Sequence, residues 1–146
     1  MYNEYMNIAV EEANKAADIG EIPVGAVIVK DNIVIAKAHN TRESIRNALA
    51  HAEISAINKA CKYLNNWRLD GCDMYITLEP CPMCCGAILQ SRLKNVYFGA
   101  YSLESGCMGT VLNLPALLKN NSLTVYGGIM EEECKKLLED FKYTGK

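Results

Sequence analysis

A cysteine cluster at the point where a predicted strand turns into a predicted helix most restricts the fold of this chain. The segment Pro80-Cys81-Pro82-Met83-Cys84-Cys85 holds three of the seven cysteines. Two thiols three positions apart at a helix start face the same point, and the backbone N–H groups there favour thiolates. We therefore expect the fold to build a site around this strand-to-helix turn.

The other cysteines and the N-terminus bear on the environment of the protein. Seven is an odd number and makes a poor disulfide framework. Residues 1–10 contain no basic region of a secretory signal, and no apolar run approaches the roughly 18 residues needed to cross a bilayer. We expect a cytoplasmic protein with no membrane contact, whose cysteines serve as metal ligands or as a catalytic thiol.

A third ligand for such a site has few sources, because the chain contains only two histidines, His39 and His51. Catalytic zinc sites use three protein ligands and leave a fourth position for water. His51 opens the motif His51-Ala52-Glu53 at a predicted helix start. Residues two apart lie on roughly opposite sides of an ideal helix, so His51 and Glu53 converge only if the backbone there is irregular. Each motif alone is ambiguous, since C-x-x-C is often structural or redox-active; together they match a metal site with a general base.

Hydrophobic periodicity gives the remaining architecture. Strands alternating with helices indicate a three-layer α/β/α domain around one sheet. Lys30-Asp31-Asn32 predicts a hairpin turn, and an antiparallel hairpin joined to βα units predicts a mixed five-stranded sheet. Without repeats or linkers, residues 1–146 are expected to form one domain. The predicted helices are 4–17, 51–63, 80–90 (after a sharp turn) and 131–141, and the predicted strands are 24–29, 33–38, 74–78, 95–99 and 123–126.

The order His-x-Glu, then Pro-Cys-x-x-Cys with its first cysteine thirty residues after the histidine, is the signature of zinc nucleobase deaminases. From about Tyr5 to Phe141 the chain resembles the bacterial tRNA adenosine deaminases of the cytidine deaminase superfamily. Three stretches are more specific to that branch: Leu78-Glu79 before Pro80, Phe98-Gly99-Ala100, and Glu132-Glu133-Cys134.

The resemblance implies a cytidine deaminase-like fold and one zinc ion per chain. His51, Cys81 and Cys84 are the implied ligands, and zinc supplies hydroxide at neutral pH. Glu53 is the implied catalytic residue: it takes the proton of water, passes it to the purine N1, and protonates the departing ammonia. The expected reaction converts adenosine to inosine at the wobble position of a tRNA anticodon.

The resemblance also implies substrate contacts and an assembly. Asn40 is expected to hydrogen-bond the flipped nucleoside, and the backbones of Ala52 and of the Pro80-Cys81 turn are expected to bind the base edge. We expect a homodimer that uses the apolar helix Ala87-Ile88-Leu89 and the loop 103–114. Basic side chains near the mouth of the substrate pocket should contact the phosphates of the anticodon stem-loop; the candidates are Arg42, Arg46, Arg68 and Lys142. The three arginines belong to a basic segment, residues 37–68, which carries six basic and two acidic residues, a net charge of +4.

Three departures from the family pattern keep other substrates open, of which one is the net charge of −2, mildly acidic for a protein that binds tRNA phosphates. The family usually carries Asp-Pro-Thr where this chain has Asn47-Ala48-Leu49, and its closing helix usually ends with more aromatic and basic residues than 140–146 contain. The alternatives are a deaminase of a free base or nucleoside (guanine, cytosine or cytidine) and, least favoured because Glu53 is kept, an inactive zinc-stabilised accessory subunit. Iron also remains open as the metal.

Three further residues have simpler expected roles. We expect Glu79 to brace the backbone beside the cysteine turn, and Cys85 to be a small packed residue. His39 is interpreted either as part of the substrate entrance or as a structural histidine with a satisfied ring.

Overall fold

Five strands build one mixed sheet, as predicted. The computed structural model describes residues 2–143, with side chains as far as Phe141. In space the strands are ordered β2-β1-β3-β4-β5; β1 is antiparallel to β2 and β3, whereas β3, β4 and β5 are parallel. Their bounds are β1 (Gly25–Lys30), β2 (Ile33–His39), β3 (Cys72–Leu78), β4 (Asn95–Ala100) and β5 (Thr124–Tyr126).

The hairpin between β1 and β2 turns at the predicted place. Asp31 and Asn32 both have positive φ, 51° and 62°. Such a pair matches the right-handed twist of the flanking strands, and Asp and Asn tolerate it better than most residues. The turn therefore fixes the register that places Lys30 opposite Ile33 and Val29 opposite Val34. An irregularity between Ile28 and Val29 then shifts the pairing by one residue and places Gly25 opposite His39.

Helices cover both faces of the sheet. On one face α1 packs on β1, β2 and β3, and α5 packs on β4; on the other, α2 packs on β1 and β2 and contacts α3. The three-layer α/β/α arrangement is confirmed. The bounds are α1 (Tyr2–Asp18), α2 (Ala52–Leu64), α3 (Pro82–Gln90), α4 (Leu114–Leu117) and α5 (Glu131–Tyr143). Among residues 2–143, no helix is both long and apolar enough to span a bilayer.

The alternation of side chains along β1 feeds two separate cores. Ala26 and Ile28 join the core beneath α2 and α3, whereas Val27 and Val29 join the core beneath α1. At the start of the strand, a Cβ on Gly25 would lie 2.0 Å from the carbonyl oxygen of Ala9. The absent side chain thus allows α1 to pack directly against the strand.

The short helix α4 was not predicted, although its first residue, Leu114, ends the predicted loop 103–114. Its signal is local: the Asn113 side chain accepts a hydrogen bond from the Ala116 backbone N–H, and Pro115 lies in the first turn. Both are common features of a helix start. A helix of four residues is too short to show a hydrophobic period, which is why the periodicity missed it.

Candidate active site

The predicted ligand atoms converge. One nitrogen of His51 and the sulfurs of Cys81 and Cys84 all lie within 4.8 Å of one another. His51 Nδ1 is 3.7 Å from the Cys81 sulfur and 3.4 Å from the Cys84 sulfur. In the described part of the chain, this is the group of three whose spacing allows it to hold a metal ion.

The convergence follows from how α2 and α3 begin. His51 is the N-cap of α2 with φ −70° and ψ 154°, and Cys81 is the N-cap of α3 with φ −76° and ψ 175°. Both backbones are extended there, which is the irregularity that His51 and Glu53 needed in order to face one site. Neither side chain caps its own helix. The imidazole and the thiol are therefore available as ligands, and Pro82 fixes the first turn behind Cys81.

The two thiols share their charge unequally. A hydrogen bond from the Cys84 side chain, helped by His51, lowers the pKa of Cys81 to about 4. The same bond, together with burial, raises the pKa of Cys84 far above its usual range. Cys84 therefore keeps its proton and Cys81 is the thiolate. A divalent cation replaces that proton in metal sites and binds both sulfurs as thiolates.

Glu53 lies in the first turn of α2, and its side chain is buried. Burial raises its pKa to about 7, and the positive charge of His51 opposes this only in part. The carboxyl group also contacts the Cys84 thiol. A carboxyl group with this pKa exchanges a proton readily near neutral pH, as a general acid–base residue requires.

A cleft of about 630 Å³ opens onto this group. Its floor is formed by His51, Ala52, Glu53 and Cys81, with Leu78 at the end of β3. The rest of the lining comes from the segment after α1, the loop after β2, Glu79 after β3, the loop after β4, and Phe141 of α5. The volume lies within the range of small-ligand pockets.

Two buried carboxylates hold the loops that form the cleft walls. Glu21 accepts hydrogen bonds from the backbone N–H groups of Glu43 (3.0 Å) and Ser44 (2.6 Å). Burial alone would raise the pKa of Glu21, but these bonds lower it. Glu79 accepts from the backbone N–H groups of Ser102 and Thr110. Sequence analysis missed Glu21 and predicted the bracing role of Glu79.

Comparison with known proteins decides the family. The MafB19-like deaminase family matches residues 2–137. A tRNA-specific adenosine deaminase from Bacillus subtilis is 48% identical over 94% of this chain and 86% of its own. A structure from studies of A-to-I editing by tRNA:A34 deaminases at the wobble position superposes with a TM-score of 0.85, at 36% identity, over 92% of this chain and 99% of that one. The chain belongs to the tRNA-specific adenosine deaminase family.

A guanine deaminase from Bacillus subtilis is also similar, with 43% identity and a TM-score of 0.65. That alignment covers 67% of this chain and 63% of the other. The likeness to the tRNA-specific adenosine deaminases therefore extends over more of both chains.

The predicted substrate contacts of this deaminase family member are only partly brought together. Asn40 and Ala52 line the cleft. The Asn40 side chain donates to the Ile22 carbonyl oxygen (3.2 Å) and accepts from the Arg42 N–H (3.1 Å), so it also braces the wall. Pro80 is buried behind the cleft, and its carbonyl oxygen accepts from the Cys107 N–H at 3.0 Å.

The predicted phosphate contacts separate into two groups. Arg42 lines the cleft, and Arg46 is exposed on the same loop but outside the lining. Arg68 does not reach the cleft: it pairs with Asp70 at 3.0 Å and lines a second cleft at the other end of the sheet. The prediction that Arg68 lies near the cleft mouth was therefore wrong. Arg42 and Arg68 belong to the same basic segment of the sequence, but the fold places them in different clefts. The side chain of Lys142 lies outside the described residues.

His39 and Cys85 have structural surroundings. His39 Nδ1 is 3.0 Å from a carboxylate oxygen of Glu12, and the ring is absent from the cleft lining, which supports the structural interpretation. Cys85 is buried and directs its thiol to the Cys107 carbonyl oxygen. Burial raises the pKa of Cys85 to about 12, so this thiol is a poor source of thiolate.

The adjacent cysteines Cys84 and Cys85 provide a matched test of the ligand set. Both are buried, but only Cys84 faces His51. We expect Cys84→Ala to lose zinc binding and Cys85→Ala to retain about one zinc per chain, measured by elemental analysis after dialysis against trace zinc. Full zinc content in Cys84→Ala would show that the ligand set is wrong.

Proposed function

We propose that this protein catalyses the zinc-dependent hydrolytic deamination of adenosine to inosine at the wobble position of a tRNA anticodon. The observation that supports this most directly is the buried carboxyl group of Glu53 beside a His-Cys-Cys group in one cleft. The extended likeness to tRNA-specific adenosine deaminases supports the choice of substrate.

The donor set fits zinc. One imidazole and two thiols are ligands that zinc binds in tetrahedral sites, and three protein ligands leave one position for water. We assign His51, Cys81 and Cys84 to this role. A zinc ion bound in such a site lowers the pKa of water and supplies hydroxide near neutral pH.

Glu53 is assigned the proton transfers. Hydrolysis replaces the C6 amino group of adenine by oxygen, so one water is consumed and one ammonia is released. Glu53 accepts a proton from the water and delivers it to N1 of the purine. It then takes the second proton from the oxygen added at C6 and delivers it to the amino group, which leaves as ammonia while the C6 carbonyl forms. Burial is what keeps its pKa near 7 and lets it serve as both base and acid.

Asn40 and Ala52 are assigned to base and nucleoside recognition, and Pro80 to holding the turn beside them. Ala52 lines the cleft beside Glu53, and we assign its backbone to the edge of the base. Asn40 keeps one amide hydrogen and one lone pair beyond its bonds to the wall. Pro80 fixes the turn that presents Cys81. An anticodon loop is single-stranded, so its adenosine is splayed into a cleft at modest cost.

The function is tested by a substrate panel. Ammonia release should be measured with an anticodon stem-loop carrying adenosine at the wobble position, with a matched stem-loop carrying guanosine there, and with free adenosine, cytidine, cytosine and guanine. We expect turnover of the adenosine stem-loop and inosine in the digested product. Turnover of guanine or cytidine alone would instead support the free-base or nucleoside alternative.

Glu53 can be separated from the metal ligands by one substitution. Glu53→Gln keeps the size of the side chain but cannot take up or release the proton. We expect about one zinc per chain and a fall in turnover of at least ~10²-fold, the scale for a general acid–base residue. Near-normal turnover would assign the proton transfer to another group.

The exposed loop after β2 is proposed to contact RNA phosphates. Replacing Arg42 or Arg46 by Ala should weaken stem-loop binding, and each lost phosphate contact should reduce the log–log salt slope by about 0.7–0.9. Arg68→Ala is the matched control, because Arg68 lies in the second cleft. β3 runs between the two clefts, and its seven residues span roughly 20 Å. An equal loss of binding in all three variants would contradict this assignment.

We also propose a homodimer. Leu103, Leu117 and Leu118 are 85%, 67% and 62% exposed, which leaves apolar surface on the segment from β4 through α4. The predicted contribution of Ile88 was wrong: Ile88 is fully buried against the sheet of its own chain, because the interior-facing side of α3 carries it. Ala87 and Leu89 are partly buried and flank it.

Light scattering tests the dimer. We expect a dimer at micromolar concentration and dissociation in Leu117→Glu, because a charge at a buried interface is strongly unfavourable. Ile33→Glu is the control, since Ile33 is 57% exposed on β2 at the other edge of the sheet. A monomeric unmodified protein would disprove the dimer.

A tRNA substrate and a reducing environment both suggest the cytoplasm as the location. All seven cysteines are free thiols, as is usual for proteins in that compartment. We further propose that residues 1–146 act as a single deaminase domain. The residues that line the cleft belong to the strands of one sheet, to helices packed on that sheet, or to the segments that join them.

A further inference from the structure

Glu79 lies in the cleft lining but its carboxylate is already occupied. Oε1 accepts from the Ser102 N–H at 3.1 Å and from the Thr110 hydroxyl. Oε2 accepts from the N–H groups of Met108 (3.0 Å) and Thr110 (3.1 Å). A carboxylate has about four acceptor positions, and all four are filled. Glu79 therefore has no lone pair left for a substrate.

The same segment holds the loop after β4 by its backbone as well. The Glu79 N–H donates to the Ala100 carbonyl oxygen (2.9 Å), and the Cys107 N–H donates to the Pro80 carbonyl oxygen (3.0 Å). Close packing supports the arrangement, since a Cβ on Gly106 would lie 2.4 Å from a Glu79 carboxylate oxygen. Residues 102–110 are thus tied to the turn that carries Cys81.

We propose that Glu79 is a positioning residue that sets how tightly the cleft holds its substrate, by fixing residues 102–110 as one wall. Glu104 and Ser105 lie on this loop and line the cleft, whereas its tip residue Leu103 is 85% exposed. The inference deepens the proposed function, because the substrate held by this wall is the adenosine stem-loop. It assigns to Glu79 no part in proton transfer or in metal binding.

Glu79→Gln is the informative variant. An amide of the same shape turns one acceptor oxygen into a donor. At the Oε1 position the amide can still donate to the Thr110 hydroxyl but faces the Ser102 N–H, and at the Oε2 position it faces two N–H groups, so at least one of the four hydrogen bonds is lost. Glu12→Gln is the matched control: Glu12 is a buried carboxylate that binds the side chains of Lys15 and His39 and lies outside the cleft lining. This control shows the effect of replacing a buried glutamate by glutamine where the carboxylate bonds to Lys15 and His39 and not to residues 102–110.

The first readout is independent of activity. Amide hydrogen exchange should increase for residues 102–110 in Glu79→Gln and stay unchanged there in Glu12→Gln, with zinc content about one per chain in both. Unchanged exchange in Glu79→Gln would overturn the proposal, as would loss of zinc in that variant but not in the control.

The second readout is the division between KM and kcat on the adenosine stem-loop. We expect Glu79→Gln to raise KM about 10-fold, with kcat changed less than about 3-fold, since a contact made equally in ground and transition states affects KM alone. An equal fall in kcat would overturn the proposal. If the unmodified protein acts on a different base or nucleoside, the proposed function fails, and the same KM comparison with that substrate still tests Glu79.

Discussion

The convergence of two helix N-termini is the constraint on which the site depends. His51 precedes α2 and Cys81 precedes α3, and both have extended backbone, so an imidazole and two sulfurs meet within 4.8 Å. The partial positive charge of each helix start favours thiolate there. The parallel pairing of β3 with β4 makes β3, α3 and β4 a crossover unit, and the hand of such a crossover sets the face on which its helix lies. On that face α3 contacts α2, which brings the two helix starts together.

Three buried glutamates line one cleft and have different chemistry because their hydrogen-bond partners differ. Glu79 accepts four hydrogen bonds and Glu21 accepts two from backbone N–H groups, which stabilise a loop in each case. Glu53 lies instead against the Cys84 thiol, and burial raises its pKa to about 7. Residue type alone does not distinguish these roles. The number of N–H donors that the fold directs at each carboxylate does.

The sequence predicts most of the fold and the ligand group, because these depend on local patterns. The periodicity of hydrophobic residues predicts the strands, and the spacing of His51, Cys81 and Cys84 matches that of a metal site. The walls of the cleft depend instead on contacts between distant segments, such as Glu21 with Glu43, which no local pattern records. Arg68 and Ile88 were misplaced for the same reason: charge and hydropathy do not say which face of the molecule a residue occupies.

The departure at Asn47-Ala48-Leu49 is compensated within the loop itself. The Asn47 side chain accepts from the Leu49 N–H at 2.8 Å, and the Asn47 N–H donates to the Arg42 carbonyl oxygen. The His51 N–H then donates to the Leu49 carbonyl oxygen at 2.8 Å, which directs the chain into its extended N-cap. An asparagine that bonds to its own backbone two residues on restricts the loop, as the usual proline of the family does by its fixed φ. The position of His51 therefore does not require that proline. At this departure Leu49 is 56% exposed, on the same loop as Arg42 and Arg46.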